Sequence, residues 1–193
     1  MNKIVVFCGA SDGYADIYRE TAWDVGGLLA RRGIEVIFGG GKVGIMGAVA
    51  DGALQHGGRV TGVIPTFLQT KEIAHDGVTE MIVVNTMHER KQTMSRLADG
   101  VIALPGGWGT MEELFEMLTW AQLGLHTRPI GVLNVNGYYE PLKALCALMV
   151  QDGFLSETTA SILMVADTIE ELLDLMANYT PPAAPQWLTD STT

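Results

Sequence analysis

Residues 100–113 read GVIALPGGWGTMEE, and this stretch decides the fold class. Residues 100–104 form a short apolar run, which predicts a buried strand. Residues 105–109 hold a proline and three glycines, which let the backbone turn sharply. A helical pattern then runs through residue 123. The order of strand, glycine turn and helix is typical of sheets whose parallel strands alternate with helices.

The same alternation extends along the whole chain. Apolar runs predict strands at 3–7, 34–38, 59–64, 80–84, 100–104, 129–135 and 162–165. Amphipathic stretches between them predict helices, among them 15–31, 87–98, 141–150 and 168–177. We therefore predict an α/β fold: a doubly wound, mostly parallel, Rossmann-like sheet with helices on both faces. Glycine clusters follow the first, second and fifth strands, so they should meet at the carboxyl edge, where such sheets bind ligands.

Composition narrows the function classes. The 193 residues favour one domain, which we assign to 1–179, followed by a flexible tail over 180–193. The net charge is −10 and no Lys/Arg-rich run exists, which argues against a nucleic-acid partner. The two cysteines, Cys8 and Cys146, fit core positions in a reducing compartment. The N-terminus lacks a signal-peptide pattern and no apolar stretch approaches the ~20 residues of a membrane span, so we expect a cytoplasmic protein with no membrane partner.

The glycine cluster after the second strand matches G-x-G-x-x-G at Gly39, Gly41 and Gly44. A dinucleotide site also needs an acidic residue at the end of the next strand, and that strand ends in GVIP. A P-loop needs Ser or Thr after Gly-Lys, but Val43 follows Lys42. Two interpretations remain open: these glycines help to bind a simple phosphate at a helix N-terminus, or they only shape tight turns.

The glycine cluster after the fifth strand offers a second phosphate site. Thr110 is placed to cap the next helix, whose dipole and free amides would attract an anion. Thr110-x-x-Glu113 also matches a capping box, in which the glutamate bonds back to the threonine amide. Glu113 can therefore be a capping residue, a chemical group or both.

The helix predicted over 87–98 carries two cations on its inner face. Met87, Met94, Leu97 and Ala98 define that face, and Arg90-Lys91 fall on the same stripe. A buried charge needs a partner, which a bound phosphate or Glu113 could provide. The alternative is that both side chains reach past the apolar surface to water.

Seven motifs stand out along the chain: FCG (7–9), GGG (39–41), GVIP (62–65), MHERK (87–91), PGGWGTMEE (105–113), TWAQLG (119–124) and LNVNGYY (133–139). Together they resemble the LOG family of cytokinin-activating phosphoribohydrolases, and the resemblance covers roughly residues 3–179. The family converts cytokinin riboside 5′-monophosphates to the free base and ribose 5-phosphate, and some bacterial members resemble general AMP nucleosidases.

The resemblance also implies roles for particular residues. It implies that Arg90 and Glu113 are catalytic, that neither a metal nor an organic cofactor is needed, and that the protein is a homodimer. It implies that the substrate, a purine-type nucleoside 5′-monophosphate, is contacted by Glu72, Lys91, Gly107, Trp108, Gly109, Thr110, Met111, Glu112 and Thr119. The base pocket is expected to include the loop 66–78, whose length suits a binding loop.

The expected chemistry assigns a task to each charged group. Breaking an N-glycosidic bond builds positive charge on the ribose, and a carboxylate such as Glu113 stabilises that charge or orients water. Arg90 suits a hydrogen-bond donor or charge-balancing group. Lys91 and the amides at 107–110 suit the phosphate.

Two rival functions remain. Related sequences have been labelled lysine decarboxylases, a chemistry that normally needs pyridoxal phosphate bound to a lysine. The lysines nearest the predicted edge, Lys42 and Lys91, each have a simpler role as phosphate-binding groups. The second rival is a nucleotide-binding sensor without catalysis, which would leave AMP intact.

Overall fold

The computed structural model describes residues 1–69 and 73–183, so residues 184–193 of the predicted tail lie outside the described part. Within it the chain forms seven strands and seven helices. The strands are β1 (Lys3–Phe7), β2 (Glu35–Phe38), β3 (Val60–Pro65), β4 (Glu80–Val84), β5 (Gly100–Ala103), β6 (Ile130–Leu133) and β7 (Leu163–Ala166). The helices are α1 (Asp16–Arg31), α2 (Gly44–Gln55), α3 (Met87–Leu97), α4 (Trp108–Gln122), α5 (Glu140–Gln151), α6 (Glu157–Ala160) and α7 (Ile169–Ala177).

The strands form one sheet in the order β4-β3-β2-β1-β5-β6-β7. Every pair of neighbouring strands is parallel. The predicted α/β fold is confirmed, and the part of the sheet that the structure describes is parallel throughout. The chain moves outward from β1 on one side and from β5 on the other. The crevice between these two neighbours is therefore the topological switch point, where ligands bind in such sheets.

Helices cover both faces of the sheet, as predicted. Side chains alternate along β1, so that Ile4 and Val6 enter one core layer with residues of α1, α2 and α7. Val5 and Phe7 point to the opposite face and enter a second layer with residues of α3, α4 and α5. The two layers hold the central strands rigidly, which fixes the positions at which their following loops begin.

Most predicted boundaries agree with the structure to within two residues. The strand predicted over 129–135 is shorter, because Ile130–Leu133 ends at a turn. The side chain of Asn134 accepts the Tyr139 N–H at 2.8 Å, and Asn136 adopts a φ of 52° in the following 3₁₀ turn. No helix in the described ranges is both long and apolar enough to cross a membrane.

Candidate active site

The main cavity lies where β2, β1 and β5 end, at the carboxyl edge of the sheet. It encloses about 750 Å³ and is lined by the loops at 8–13, 39–46 and 105–110. Backbone hydrogen bonds join these loops: Gly9 N–H donates to Pro105 O at 3.1 Å, and Met46 N–H donates to Gly9 O at 3.2 Å. The prediction that the three glycine clusters meet at one edge is confirmed.

Arg90 is held inside the protein and faces this cavity. Only 9% of the residue is exposed, so the alternative in which it reaches past the apolar surface to water is wrong. Its Nε donates to Val63 O and its Nη2 to Gly39 O, both at 3.0 Å. Its Nη1 lies 3.7 Å from Glu113 Oε1. Two backbone carbonyls therefore fix the guanidinium plane and leave one edge directed at Glu113.

The Arg90 guanidinium packs directly against Gly39. A Cβ at this position would lie 1.8 Å from Arg90 Nη2, a separation at which the arginine would have to move. Any residue other than glycine would therefore displace the cation. The sequence left open whether Gly39 helps to bind a phosphate or only shapes a turn, and the structure shows that the Arg90 side chain packs against it.

Lys91 is equally buried but is used differently. Its Nζ donates to Glu112 and, at 3.0 Å, to Glu116 Oε1. Burial lowers the pKa of Lys91, but the hydrogen bonds to the two carboxylates outweigh it and raise the pKa above its ordinary value. The amine stays charged and lies behind Glu112, which lines the cavity, whereas Lys91 does not.

Helix α4 begins three residues earlier than the sequence suggested. Its N-cap is Gly107, and no side chain caps it. Thr110 is the third helical residue and is buried, so its predicted role as the cap is wrong. Glu113 lies in the second turn, beyond the reach of a capping box, which needs the third helical residue. The first amides of α4 are thus left to the cavity.

Glu113 does not cap α4, and its side chain lies in a poorly solvated environment. Its side chain is only 11% exposed, opposite Arg90. Burial raises the pKa of Glu113 to about 7, although the positive charge of Arg90 opposes the shift. Glu112 raises it further and Lys91 lowers it. A carboxyl group with a pKa near 7 can both give and take a proton at neutral pH.

The turn between β5 and α4 is tight at one glycine and open at the others. A Cβ on Gly106 would lie 2.1 Å from Thr110 Oγ1, whereas Cβ atoms on Gly107 and Gly109 would meet no atom within 4 Å. Gly106 is therefore needed for packing. Gly107 and Gly109 leave room for a ligand to approach the backbone.

Two tyrosines hold this turn from behind. Tyr138 OH donates to Gly106 O, and Tyr139 OH donates to Leu104 O at 2.8 Å. Their rings pack edge to face with centroids 5.2 Å apart. They belong to the LNVNGYY motif, which sequence reasoning noted without assigning a role. The backbone carbonyls on both sides of Pro105 are thereby fixed.

The cavity also has an apolar wall that the sequence did not reveal. Four of the apolar side chains that line the cavity form this wall, and they are Met46, Ile64, Leu68 and Ile73. They come from α2, β3 and the loop after β3, so no local pattern unites them. The lining of the cavity thus combines charged and apolar side chains.

Cys8 lines the cavity but is not a nucleophile in this state. Burial, and then the negative charge of Glu113, raise the pKa of the thiol far above its ordinary value. The thiol therefore stays protonated at neutral pH. Within the described ranges, no group of three or more His, Cys, Asp or Glu side chains could hold a metal ion.

The residues predicted to contact substrate fall into three groups. Glu72 lies outside the described residues. Lys91, Met111 and Thr119 do not line the cavity; Thr119 is exposed on α4, nine residues and about 14 Å along the helix from Thr110. The remainder line the cavity together with Arg90 and Glu113, and they are Gly107, Trp108, Gly109, Thr110 and Glu112.

Comparison with known proteins gives consistent results. A family model described as "Possible lysine decarboxylase" matches residues 46–176. A cytokinin riboside 5′-monophosphate phosphoribohydrolase of Arabidopsis thaliana is 46% identical over 93% of this chain and 82% of its own length. The enzyme of that description named LOG from Oryza sativa subsp. japonica is 43% identical over 93% of this chain and 74% of its own length. The structure of a molybdenum cofactor binding protein from Rippkaea orientalis superposes with a TM-score of 0.67 at 22% identity, over 92% of this chain and 96% of that one, which shows a shared fold.

Proposed function

The chain belongs to the LOG family of phosphoribohydrolases, and from that membership we propose that it hydrolyses the N-glycosidic bond of purine-type nucleoside 5′-monophosphates. The products are the free base and ribose 5-phosphate. The observation that carries the proposal is the Arg90–Glu113 pair, 3.7 Å apart and facing the cavity beside the uncapped start of α4. The pair suits the glycosidic bond, and the helix start suits the phosphate.

The reaction can be written with these groups alone. The bond between C1′ of the ribose and N9 of the base breaks, and its electron pair leaves with the base. A water oxygen bonds to C1′, and its proton passes to the Glu113 carboxylate and then to the base. A pKa of about 7 lets Glu113 accept this proton and return it. While ionised, Glu113 also stabilises the positive charge that develops on the ribose.

Arg90 and Lys91 have different tasks in this proposal. Arg90, held by Val63 O and Gly39 O, keeps part of Glu113 ionised despite its burial and offers Nη1 to the substrate. Lys91 neutralises Glu112 beside the phosphate, so that two anions can share one end of the cavity. The phosphate itself binds to the amides at the start of α4.

The apolar wall supports a base that carries an apolar substituent on its exocyclic amine. The cavity of about 750 Å³ is large for a plain adenine nucleotide, and the four apolar side chains of this wall line it. We therefore propose cytokinin-type nucleotides as substrates, with AMP as a slower one. An AMP nucleosidase without this preference would cleave both at similar rates.

The test is a substrate panel scored by released base. Isopentenyl-AMP and AMP are compared with their unphosphorylated ribosides, with the Glu113→Gln protein as a control. We expect release from the 5′-monophosphates and little from the ribosides. Similar rates with AMP and adenosine would contradict the proposed phosphate site, and intact nucleotide in every reaction would favour a sensor.

The structure gives no support to the rival decarboxylase function. A lysine that forms a Schiff base must lose its proton, whereas the carboxylates raise the pKa of Lys91. Lys42 pairs with Asp76 at 3.9 Å and is not among the residues lining the cavity. Adding pyridoxal phosphate and recording an absorbance spectrum tests this directly, because a lysine-bound cofactor is yellow.

We also propose a homodimer, because two helices expose apolar surface. The described part of α4 buries only Thr110, Leu114 and Met117, and that of α5 only Leu142. Apolar side chains stay exposed on these helices and just after them, namely Phe115, Leu145, Leu148 and Phe154. Thr119 also lies on α4, so a second copy packed against α4 would allow Thr119 to approach a nucleotide bound to that copy. Light scattering should give twice the mass of one chain, and a monomer that still cleaves nucleotides would contradict the proposal.

The free thiols of Cys8 and Cys146 fit a reducing compartment, and we propose that the protein works in the cytoplasm. Cell fractionation with an antibody against the chain tests this. Recovery from a secreted or membrane fraction would contradict it.

A further inference from the structure

A buried histidine outside the cavity joins the loop after β3 to the glycine turn after β2. His75 is 9% exposed and is not among the cavity-lining residues. Its Nε2 lies 3.0 Å from Asp51 Oδ1 on α2, and its Nδ1 accepts the Gly77 N–H at 3.1 Å. Its ring also meets the Phe38 ring edge to face, with centroids 6.3 Å apart. Every polar atom of this side chain therefore has a partner.

These two hydrogen bonds define the tautomer. Because Nδ1 accepts a hydrogen bond from the backbone, the ring proton must be on Nε2, from which it is donated to Asp51. The imidazole therefore links the loop after β3 to α2 through a hydrogen bond that it donates to Asp51. An isolated apolar contact would not fix the loop in this direction.

The backbone around His75 pairs with the glycine turn. His75 N–H donates to Gly40 O at 2.9 Å, Lys42 N–H donates to Ile73 O at 2.8 Å, and Gly41 and Ala74 form an antiparallel bridge. The segment 73–75 is therefore a short strand-like partner of 40–42.

This pairing touches the site at two points. Ile73 forms part of the apolar wall of the cavity. The carbonyl next to that of Gly40 belongs to Gly39 and holds Arg90. The backbone bonds of segment 73–75 thus fix one wall of the cavity and join it to the turn that carries Gly39. Arg90 is also held by Val63 O, which does not depend on this segment.

We propose that His75 is a positioning residue of the nucleotide site, which holds segment 73–75 on the glycine turn by bridging Asp51 and Gly77. The bridge keeps the apolar wall in its binding position before the nucleotide arrives. Without the bridge, segment 73–75 becomes ordered only when the nucleotide binds, and the cost of this ordering weakens binding. The Arg90–Glu113 pair stays intact. This role rests on the proposed nucleotide hydrolysis.

Two amide substitutions separate the bonds of the imidazole. In His75→Asn the side-chain oxygen can replace Nδ1 as the acceptor for Gly77, but nothing reaches Asp51. In His75→Gln the side-chain NH₂ can replace Nε2 as the donor to Asp51. We expect His75→Asn to raise KM for isopentenyl-AMP about tenfold with kcat within about threefold of the parent, and His75→Gln to stay close to the parent.

Asp51→Ala provides a second route that leaves the histidine in place, in case His75→Asn fails to fold. It should raise KM to a similar extent, and adding it to His75→Asn should cause no further loss, because both remove the same bridge. The control is His56→Asn, which changes an exposed histidine at the C-terminal end of α2. The ring of His56 contacts Gly52 O and not the loop. This control should keep the parental KM.

Amide hydrogen exchange tests the hydrogen bonds around His75 independently of enzymatic activity. In the parent the amides of Lys42, His75 and Gly77 should be protected, and in His75→Asn they should exchange at least about tenfold faster. If the parent cleaves no nucleotide, the hydrolase proposal fails while exchange still measures the bridge. Parental exchange and parental KM in His75→Asn would overturn the inference, as would an equal loss in His75→Asn and His75→Gln.

Discussion

The two glycine turns of this site look alike in sequence but are occupied differently. Both follow a strand of the central sheet and precede a helix. The turn after β2 is filled by the protein itself: Arg90 lies against Gly39, and segment 73–75 pairs with 40–42. At the start of α2, Met46 N–H is already bonded to Gly9 O. The turn after β5 has no side-chain cap and leaves Gly107 and Gly109 open.

The difference shows what a glycine spacing can and cannot predict. A glycine in such a turn indicates that another group packs close to the backbone, but it does not indicate whether that group is a ligand or a side chain. In the first turn it is a guanidinium that belongs to α3. In the second turn the space faces a cavity, and the free amides of α4 favour an anion there. The first turn thus holds Arg90, which we propose to be catalytic, and the second borders the space in which we propose that the phosphate binds.

The largest effect is expected from the carboxylate that follows the open turn. Glu113→Gln keeps the shape of the side chain but removes its charge and its ability to take a proton. We expect single-turnover release of base to fall by about a hundredfold or more, with substrate still bound. The matched control is Glu112→Gln, which removes a neighbouring carboxylate at the cavity rim and should cost much less. Equal losses in the two variants would mean that only the total charge of the site matters.

The filled turn can be tested by adding a single methyl group. Gly39→Ala places a Cβ 1.8 Å from the present position of Arg90 Nη2, so the arginine must leave its seat. We expect kcat to fall ten- to a hundredfold, towards the level of Arg90→Ala, because the catalytic geometry is lost. The double variant should be no worse than Arg90→Ala alone. Normal kcat in Gly39→Ala would show that Arg90 works from another position.

The same methyl group in the open turn should have a different effect. A Cβ on Gly107 meets no atom within 4 Å, and its φ of −92° suits any residue, so Gly107→Ala should fold like the parent. It narrows the space in which we place the phosphate. We expect KM to rise roughly tenfold with a smaller change in kcat, and inhibition by ribose 5-phosphate to weaken in parallel. A fall in kcat with an unchanged KM would contradict the proposed difference between the two turns.

The fold could be predicted because its signals are local. The apolar run and glycine turn at 100–109 define a strand and a loop without reference to the rest of the chain. The inward position of Arg90 and Lys91 also followed from the period of one helix. Of their partners, Glu113 was anticipated and lies 3.7 Å from Arg90. Val63, Gly39 and Glu116 were not anticipated, because they are 25 or more residues away in sequence and come together only in the folded protein.

The capping prediction failed for a physical reason that lies within the turn itself. Thr110 fits the sequence pattern of a cap, but its hydroxyl packs against Gly106, and the helix begins at Trp108 instead. Glycine-rich helix starts leave several registers open to a local pattern. With Thr110 packed against Gly106 and the helix starting at Trp108, Glu113 lies beyond the capping position and lines the cavity.

The smallest effect concerns stability rather than rate, and it tests the environment of Glu113 directly. The pKa of Glu113 is about 7 in the folded protein and ordinarily 4.5, because burial disfavours the charged form. The extra stability of the neutral form is therefore fully present below about pH 4.5 and is lost as the pH rises to and above about 7. The difference in pKa corresponds to about 3 kcal/mol. Glutamine cannot ionise, so Glu113→Gln should melt close to the parent at pH 5 and roughly 5–10 °C higher at pH 8. Glu112→Gln, whose carboxylate is more than half exposed, should show no such change between the two pH values. Parallel melting curves of Glu113→Gln and the parent across this range would mean that Glu113 is better solvated than its position beside Arg90 suggests, and the open turn would then carry an ordinary carboxylate.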